Sequence, residues 1–243
     1  MRIAALYDIH GNIEALEAVL REVSQSDADG VVVGGDVAWG PHPRETVDRL
    51  MDLEPSTTFI RGNADREVAS RRPDEDDART DVTSWCSSQL TARQRHWLGT
   101  LAPTAALEID GLGAVLFCHA TPRSDEEIVT ASTSEARVDE ILRLVREPVV
   151  VCGHTHMQFD REIRGRRLIN AGSVGLPYEG LSGAYWALLG PTVDLRRTEY
   201  GIGNAVERIR KSRCPNVEET FVDTILHPPG RAEVISHFEA QAG

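Results

Sequence analysis

The chain has 243 residues, and 41% of them are apolar, which is enough for the core of one compact domain, with or without an appendage. Charged residues make up 26%, close to the average for soluble proteins, and a disordered chain would carry fewer aliphatic residues than this one. The formal net charge of −12 argues against a protein that coats long nucleic acids, because it repels polyanions. A small phosphorylated substrate stays compatible with this charge, since salt screens charges farther than roughly 8 Å away.

No run of about 18 or more uninterrupted apolar residues occurs, so the sequence predicts no membrane span. The apolar amino-terminal stretch meets Asp8 and His10 too early for a signal peptide. The cysteines form no CxxC pair, so we expect reduced thiols in a cytoplasmic protein. These cysteines are Cys86, Cys118, Cys152 and Cys214.

The first 61 residues alternate between predicted strands and predicted helices. Apolar runs at residues 3–7 and 31–33 indicate two buried strands, and residues 57–61, before Gly62, indicate a third strand. Asn12 fits a helix N-cap, because apolar residues recur at helical spacing after it, and a second helix follows Pro43. This order predicts a parallel sheet covered by helices.

Residues 66–101 differ in character and are interpreted as a helical, cap-like insertion. A charged run at residues 71–77 is expected to be solvated, and one or two helices follow it. Trp85 and Trp97 could stack on a nucleobase, although packing in the core beneath these helices is the favoured interpretation.

The remainder of the chain predicts hairpins and a helical C terminus. A helix near 134–145 and a buried strand at 149–152 accompany the hairpins, and together these segments predict a second, mostly antiparallel sheet. Residues 201–243 form a charged helical extension, which is expected to pack back on the domain, with self-assembly as the alternative. The hairpin turns lie at Asp110-Gly111, Gly165 and Gly190-Pro191.

Side chains that could bind a metal ion repeatedly follow the apolar strands. In open α/β sheets, ligands bind beyond the carboxyl ends of the strands, so groups distant in sequence can meet there. Two carboxylates, one amide and four imidazoles suit Mn, Fe, Zn, Co or Ni better than Ca. Seven ligands suffice for two ions that share a bridging carboxylate. The candidate ligands are Asp8, His10, Asp36, Asn63, His119, His154 and His156.

Each of these residues also has an ordinary explanation. Asp8 could cap a helix, Asn63 could adopt a left-handed backbone conformation, and His119 could be a hydrogen-bonded core histidine. The pair His154 and His156 is a stronger signal, because two imidazoles two residues apart after a strand can converge on one ion. Their joint occurrence at successive strand ends predicts a metal-dependent hydrolase.

The ordered motifs resemble those of the calcineurin-like metallophosphoesterases, especially their small bacterial and archaeal branch of phosphodiesterases and diadenosine-polyphosphatase-like proteins. The match covers most of residues 1–200, with 201–243 as an extension, and implies a four-layer α/β/β/α sandwich of two mixed sheets flanked by helices. The matching motifs are Asp8-Ile9-His10-Gly11-Asn12, Gly35-Asp36, Gly62-Asn63-Ala64-Asp65, His119-Ala120-Thr121-Pro122, Gly153-His154-Thr155-His156 and Asn170-Ala171-Gly172-Ser173-Val174-Gly175.

The resemblance also implies a site with two divalent ions, of which manganese is the favoured identity. We hypothesise that a hydroxide between the ions attacks the phosphorus of a phosphodiester, a phosphomonoester or a nucleoside polyphosphate. Asn63 and His119 would stabilise the developing charge, and Asp65 completes the implied catalytic set. The implied ligands are Asp8, His10 and His156 for one ion, Asn63, His119 and His154 for the other, and Asp36 as the bridge.

The chain departs from the family pattern in two places. Many relatives carry a histidine after the motif asparagine, where it assists the leaving group, but here Ala64 occupies that position. Asp65, whose role would be to orient that histidine, is retained. The proton must come from elsewhere, or the preferred leaving group is an aryl or nucleotide phosphate. Relatives also often carry Gln-Pro-Arg where this chain has Leu176-Pro177-Tyr178, so a phosphate-contacting arginine is missing there.

Four further residues are candidates for substrate contacts. Arg66 and Arg123 follow two of the motifs and could bind a second phosphate or a distal carboxylate, with a surface ion pair as the alternative. His42 and Arg44 lie in the segment after Asp36 and could border the pocket.

Two other functions compete with a phosphoesterase. His-x-His amidohydrolases place that pair after an early strand of a barrel, whereas His154 comes late in this chain. A non-catalytic scaffold with the metallophosphoesterase fold, like the retromer subunit, is the second competitor. Such scaffolds usually lose ligands, and this chain keeps all seven, which favours an enzyme with a small phosphorylated substrate.

Overall fold

The computed structural model describes residues 1–53, 55, 57–71 and 77–242, and it contains two five-stranded sheets. The strands are β1 (Ile3–Leu6), β2 (Gly30–Val33), β3 (Thr57–Phe59), β4 (Thr104–Ile109), β5 (Gly113–Cys118), β6 (Val149–Cys152), β7 (Phe159–Ile163), β8 (Arg166–Asn170), β9 (Ala184–Leu189) and β10 (Val193–Thr198). The α-helices are α1 (Ile13–Gln25), α2 (Pro43–Met51), α3 (Asn63–Ser70), α4 (Val82–Gln89), α5 (Ala92–Thr100), α6 (Glu135–Ile141), α7 (Ile202–Lys211), α8 (Asp223–Leu226) and α9 (Arg231–Gln241). A 3₁₀ turn spans Asp77–Arg79, and a π-helical turn, Glu218–Val222, runs into α8.

Both sheets are mixed, which corrects two details of the sequence-based expectation. The first sheet has the order β10-β9-β1-β2-β3, and only the β1, β2 and β3 pairings in it are parallel. The second has the order β4-β5-β6-β8-β7, with antiparallel pairs at both edges and parallel pairing of β6 with β5 and β8. The first sheet is therefore not wholly parallel, and the second is not mostly antiparallel.

The hairpin that turns at Gly190-Pro191 joins the first sheet instead of the second. Its first strand, β9, is buried at all six positions, so it needs a neighbour on each side and a layer on each face. Its two neighbours are β1 and β10, and both pairings are antiparallel. Strand β6 is likewise buried throughout and occupies the centre of the second sheet.

The side chains of β1 show how the layers stack. Ile3 and Ala5 pack into an apolar cluster with Phe117 and Val151 of the second sheet. Leu6 points the other way, into a cluster built with the helices on the outer face of the first sheet. A third cluster covers the outer face of the second sheet with α6. The predicted four-layer α/β/β/α arrangement is confirmed.

The local predictions for α1 and the C-terminal segment agree with the structure. The Asn12 side chain accepts a hydrogen bond from the Ala15 backbone N–H at 3.2 Å, as an N-cap does. Ile209 and Phe221 are fully buried in the same apolar cluster as α1. The predicted packing of residues beyond 200 against the domain is therefore confirmed.

The helices α3, α4 and α5 occupy the region interpreted as an insertion. Trp85 is buried in the main apolar cluster, and the Trp97 ring packs edge-on against Phe59 with their centroids 5.1 Å apart. Both tryptophans thus serve packing. Most of the charged run 71–77 lies outside the described residues. In the described part of the chain, no helix combines the length and apolar character needed to cross a membrane.

Candidate metal centre

The seven candidate ligands lie together at the carboxyl ends of the parallel strands. Asp8 and His10 follow β1, Asp36 follows β2, and Asn63 begins α3 directly after β3. The other three come from the second sheet, where His119 follows β5, and His154 and His156 follow β6. The two stacked sheets therefore supply one cluster from opposite sides, in which Asn63 and His154 are half-buried and the other five side chains are buried.

The carboxylates of Asp8 and Asp36 lie within reach of three imidazoles. Asp8 Oδ1 is 3.5 Å from His156 Nε2 and 3.9 Å from the Nε2 atoms of His10 and His119. Asp36 Oδ2 is 3.4 Å from His119 Nε2 and 4.0 Å from His10 Nε2. Two overlapping groups have the spacing of metal ligands, one of Asp8 with His10 and His156, the other of both aspartates with His119.

Backbone carbonyls fix the orientation of these imidazoles. The Nδ1 atoms of His10, His119 and His156 lie 3.0, 2.9 and 2.7 Å from the carbonyl oxygens of Trp39, Gly34 and Leu176. Because a carbonyl only accepts, each Nδ1 carries a proton and donates it. When the ring is neutral, each Nε2 then carries a lone pair that is directed at the carboxylates, as in metal-binding histidines.

Two contacts inside the cluster are unfavourable without a cation. The Nε2 atoms of His10 and His156 lie 3.1 Å apart, so two lone pairs face each other when both rings are neutral. Asp8 Oδ1 is fully buried and has no hydrogen-bond partner within the described residues. An unpaired buried carboxylate oxygen is costly, and a cation among these atoms would satisfy it. The donor set therefore fits divalent metal ions.

Asn63 and His154 extend the cluster in the same manner. The Asn63 amide oxygen lies 3.1 Å from His119 Nε2 and 3.3 Å from His154 Nδ1, so it faces two acceptors when both rings are neutral. Rotating the amide would let its NH₂ group donate to them, and a cation would satisfy the same atoms without rotation. His154 Nε2 lies 3.2 Å from the Glu126 carbonyl oxygen, to which it donates its proton. The free lone pair of the neutral ring is then on Nδ1.

The backbone at the cluster is held in an uncommon conformation. Five of the seven candidate ligands have positive φ angles between 48° and 66°, in the left-handed region that non-glycine residues rarely adopt. Such conformations cost energy and concentrate at functional sites. The five residues are Asp8, His10, Asp36, His154 and His156.

Two glycines allow the backbone to approach the carboxylates closely. A Cβ atom on Gly62 would lie 2.1 Å from Asp36 Oδ1, and one on Gly153 would lie 2.5 Å from Asp8 Oδ2. Neither contact is possible for a larger residue without displacing the carboxylate. These glycines therefore define the space in which Asp8 and Asp36 are held.

Asp65 organises the segment that carries Asp36 and does not face the cluster. Its Oδ2 accepts the backbone N–H groups of Asp36 and Gly62, at 2.7 and 3.2 Å. Its Oδ1 accepts those of Val37 and Ala38, at 2.9 and 3.2 Å. The side chain is fully buried, so four otherwise unsatisfied donors depend on one carboxylate.

The charges of the cluster shift the pKa values of its members in opposite directions. Burial and the neighbouring His156 lower the pKa of His10 to about 4. Burial would also lower the pKa of His119, but the carboxylates of Asp36 and Asp8 outweigh it and raise that pKa to about 10. Burial would raise the pKa of Asp36, yet His119 holds it well below its usual range. Burial and nearby Asp36 raise the pKa of Asp65 to about 6.

The segment that departs from the family pattern also contacts the cluster. The Leu176 carbonyl accepts the hydrogen bond from His156, and the Tyr178 ring stacks on the His156 ring with centroids 4.6 Å apart. Ser173 holds this segment in place, since its hydroxyl donates to the Asp8 carbonyl at 2.8 Å. Ser173 lies within a recognised motif, and Tyr178 follows it, but the motif alone does not indicate these contacts.

The other predicted contact residues lie at the margin of the cluster or outside it. Arg66 and Arg123 line a cleft beside His119, but both are ion-paired with carboxylates. His42 is buried, and its ring lies 3.3 Å from the Gly11 carbonyl oxygen at the start of α2. The Arg44 side chain is 63% exposed and lies near Asp48, so it does not border the cluster.

Known proteins match this chain in sequence. The profile of the calcineurin-like phosphoesterase superfamily domain matches residues 1–189. An uncharacterized protein of Methanocaldococcus jannaschii is 27% identical over 234 residues, which cover 88% of this chain and 93% of that protein. The phosphodiesterase YfcE of Escherichia coli is 35% identical over 77 residues, which cover 28% of this chain and 42% of YfcE.

Solved structures match the fold over nearly the whole chain. A metallophosphoesterase from Sphaerobacter thermophilus superposes with a TM-score of 0.76 at 27% identity, covering 94% of this chain and 99% of that one. A hypothetical protein from Pyrococcus horikoshii superposes with a TM-score of 0.81 at 21% identity and the same coverage, which shows the shared fold. With the match of the family profile over residues 1–189, the chain belongs to the calcineurin-like phosphoesterase superfamily.

Proposed function

We propose that this chain is a phosphoesterase that holds two divalent metal ions and hydrolyses a small phosphorylated substrate, with nucleotides among the candidates. The observation that carries the proposal is the buried Oδ1 of Asp8, which has no described partner and lies among imidazole lone pairs. Such an arrangement is costly without cations and ordinary with them. The nitrogen and oxygen ligand set suits manganese, iron, zinc, cobalt or nickel, and manganese is favoured.

The proposed ligand assignment divides the cluster in two. One ion would be held by Asp8, His10 and His156, a second by Asn63, His119 and His154, with Asp36 between them. When bound, two divalent ions supply Lewis-acid activation of a water molecule and of the phosphate. Two dipositive charges against two carboxylates make this site attractive to a phosphate anion, although the whole chain carries −12.

The residues of the chain have separate tasks in this proposal. The imidazoles are oriented by backbone carbonyls, so the rings need no reorientation before ions bind. His119 lines the cleft, the Asn63 amide oxygen lies 3.1 Å from His119 Nε2, and both residues would stabilise charge on the phosphate oxygens. Asp65 acts as a positioning residue, because both of its oxygens are used by the backbone around Asp36.

The proposed leaving group follows from what stands at position 64. Ala64 has no titratable group, and its backbone N–H donates to Asp36 Oδ1 at 2.9 Å. A leaving group that needs little protonation, such as an aryl or nucleotide phosphate, therefore suits the site better than a simple alkoxide.

Hydrolysis of bis(p-nitrophenyl) phosphate with added Mn²⁺ tests the proposal. The wild-type chain is expected to release nitrophenolate and to bind close to two ions per chain by metal analysis. Asp36→Asn is expected to lose both, whereas Asp139→Asn should retain both, since Asp139 forms an exposed ion pair with Arg164. A fully active Asp36→Asn variant would refute the scheme.

A non-catalytic scaffold with this fold is the remaining alternative. It predicts bound metal or partner binding without turnover of any phosphoester. The presence of all seven candidate ligands in one cluster supports catalysis, because a scaffold does not need them. Metal-replete protein that is inactive across cyclic nucleotides, dinucleoside polyphosphates, phosphoserine peptides and aryl phosphates would favour the scaffold.

A further inference from the structure

A cleft of about 370 Å³ reaches the candidate metal centre at His119. This volume lies within the range of roughly 300–1,000 Å³ for small-ligand sites. Three arginines line it, Arg61, Arg66 and Arg123, against one aspartate, Asp125. The cleft is therefore a space beside the metal cluster in which arginines outnumber the carboxylates of the lining, so the pairing of each arginine decides how much of its charge is available.

Two of the three arginines are neutralised by carboxylates. Arg66 donates to both oxygens of Asp125, at 2.9 and 3.2 Å, and to Glu126 at 2.6 Å. Arg123 donates to both oxygens of Glu127, at 2.9 and 2.6 Å. The ion-pair alternative thus describes these two residues, and their charge is largely committed within the protein.

Arg61 differs from its two neighbours in the cleft. Its side chain makes no hydrogen bond or ion pair with any described residue, and its Nε is buried without a partner. A buried guanidinium nitrogen without a partner is unfavourable, and the other donors of this side chain are available to an anion in the cleft. Sequence reasoning missed this residue, since a lone arginine before Gly62 carries no distinctive signal.

The backbone holds Arg61 at the edge of the site. Its N–H donates to the Ala102 carbonyl at 2.8 Å, immediately after β3. The next residue, Gly62, packs so closely on Asp36 that an added Cβ would lie 2.1 Å from Oδ1. The backbone of Arg61 is therefore held next to the candidate metal centre, and its side chain lines the same cleft as His119.

The geometry points to Arg61 as the binding residue for a second phosphate of the substrate, placed in the cleft while the scissile phosphate lies at the metal centre. The substrate class is then a compound with two linked phosphates, such as a nucleoside diphosphate or polyphosphate. A guanidinium matches a phosphate through two parallel hydrogen bonds, which a single-phosphate ester could not use. This inference rests on the proposed function, because the metal centre supplies the first contact.

Two nucleotides that differ by one phosphate test the inference. ADP and AMP are compared as competitive inhibitors of bis(p-nitrophenyl) phosphate hydrolysis, and calorimetric titration of both into metal-loaded protein supplies a readout independent of that reporter. Wild type is expected to bind ADP at least about tenfold more tightly than AMP. Arg61→Gln should reduce this ratio to within about threefold of unity, and a general loss of affinity cancels in the ratio.

Matched variants separate the effect of the two parallel hydrogen bonds that a guanidinium can donate, here called the fork, from the effect of the positive charge alone. Arg61→Lys keeps the charge but loses the fork, so an intermediate ratio is expected. Arg21→Gln removes one charge from an exposed position on α1 and should leave the ratio as in wild type. The inference would be overturned if wild type showed no preference for ADP over AMP, or if the Arg61→Gln variant kept that preference. It would also be overturned if Arg21→Gln lost the preference as much as Arg61→Gln does.

The outcomes also distinguish this inference from the proposed function. If no phosphoester is hydrolysed but calorimetry shows an ADP preference that depends on Arg61, the enzyme proposal fails and the phosphate site stands. If hydrolysis occurs and the preference is absent, the phosphate site fails and the enzyme proposal stands.

Discussion

Asp65→Asn is expected to weaken both the fold and the metal centre, although Asp65 does not face the cluster. The carboxylate accepts four backbone N–H groups, with Asp36 and Gly62 on Oδ2 and Val37 and Ala38 on Oδ1. Asparagine keeps one oxygen and turns an NH₂ group toward the other pair of donors. Two buried N–H groups would then lose their acceptor.

The size of the effect follows from these contacts. Each buried donor left without a partner costs about 1–3 kcal/mol, so the variant loses about 2–6 kcal/mol of unfolding free energy. Because about 1 kcal/mol shifts the melting temperature of a domain of this size by about 2–4 °C, we expect a decrease on the order of 10 °C. Thermal unfolding of the metal-free protein, followed by circular dichroism, measures it.

A second measurement separates positioning from folding alone. Since one of the four donors is the N–H of Asp36, the carboxylate of Asp36 becomes less well held, and Mn²⁺ affinity should fall about 10- to 100-fold. Asp139→Asn is the control, because its partner Arg164 is exposed and the change should stay within about 0.5 kcal/mol. Unchanged melting and unchanged Mn²⁺ affinity in Asp65→Asn would refute the reasoning, and lower stability with unchanged affinity would refute the positioning role.

Three further predictions concern protonation, the leaving group and the C-terminal segment. Because the pKa of His119 is raised to about 10, its ring is protonated near neutral pH and must lose that proton to bind a metal. Mn²⁺ binding should therefore release about one proton, and its affinity should rise with pH up to about 10; calorimetry in buffers of different ionisation enthalpy measures the proton. With Ala64 unable to donate a proton, nitrophenyl esters should react at least about 100-fold faster than alkyl esters of the same phosphate, and equal rates would contradict this. Phe221→Ala should cost about 3–5 kcal/mol in urea unfolding, because the ring is fully buried, whereas Leu226→Ala, at a side chain that is 38% exposed, should cost far less.

The strand-end pattern was sufficient to predict which residues gather at the candidate site. Asp8 and His119 are far apart in sequence, yet each follows an apolar strand whose carboxyl end lies at the same edge. The pattern could not predict how β9 pairs, because a continuous apolar run indicates a buried strand without naming its neighbours. That pairing with β1 depends on which faces remain to be covered after the whole chain has folded.

The contacts of Asp65, and the lack of a described partner for Arg61, could not be predicted from the sequence either. Asp65 interacts with backbone N–H groups, which every residue except proline carries, so no side-chain pattern marks its partners. By their positions after the motifs alone, Arg66 and Arg123 were better candidates than Arg61 for binding a second phosphate. Their ion pairs with Asp125 and Glu127 arise from the folded loop after β5, and these pairs decide which arginine keeps an unused charge.

The C-terminal extension reaches the candidate site through two aromatic contacts. Phe221 packs on Trp39 with centroids 5.3 Å apart, and the Trp39 carbonyl accepts the hydrogen bond from His10. Phe238 of α9 lies against Tyr178, which stacks on the ring of His156.

Both histidines of the close imidazole pair are thus supported from outside by residues beyond position 200. Arg231 strengthens the second contact, since its guanidinium binds Glu179 at 2.5 Å, next to Tyr178. Because the Nδ1 hydrogen bond of His10 fixes the direction of its Nε2 lone pair, a shift of Trp39 would turn that lone pair away from the carboxylates. The extension therefore contributes to the order of the candidate metal ligands as well as to the apolar core.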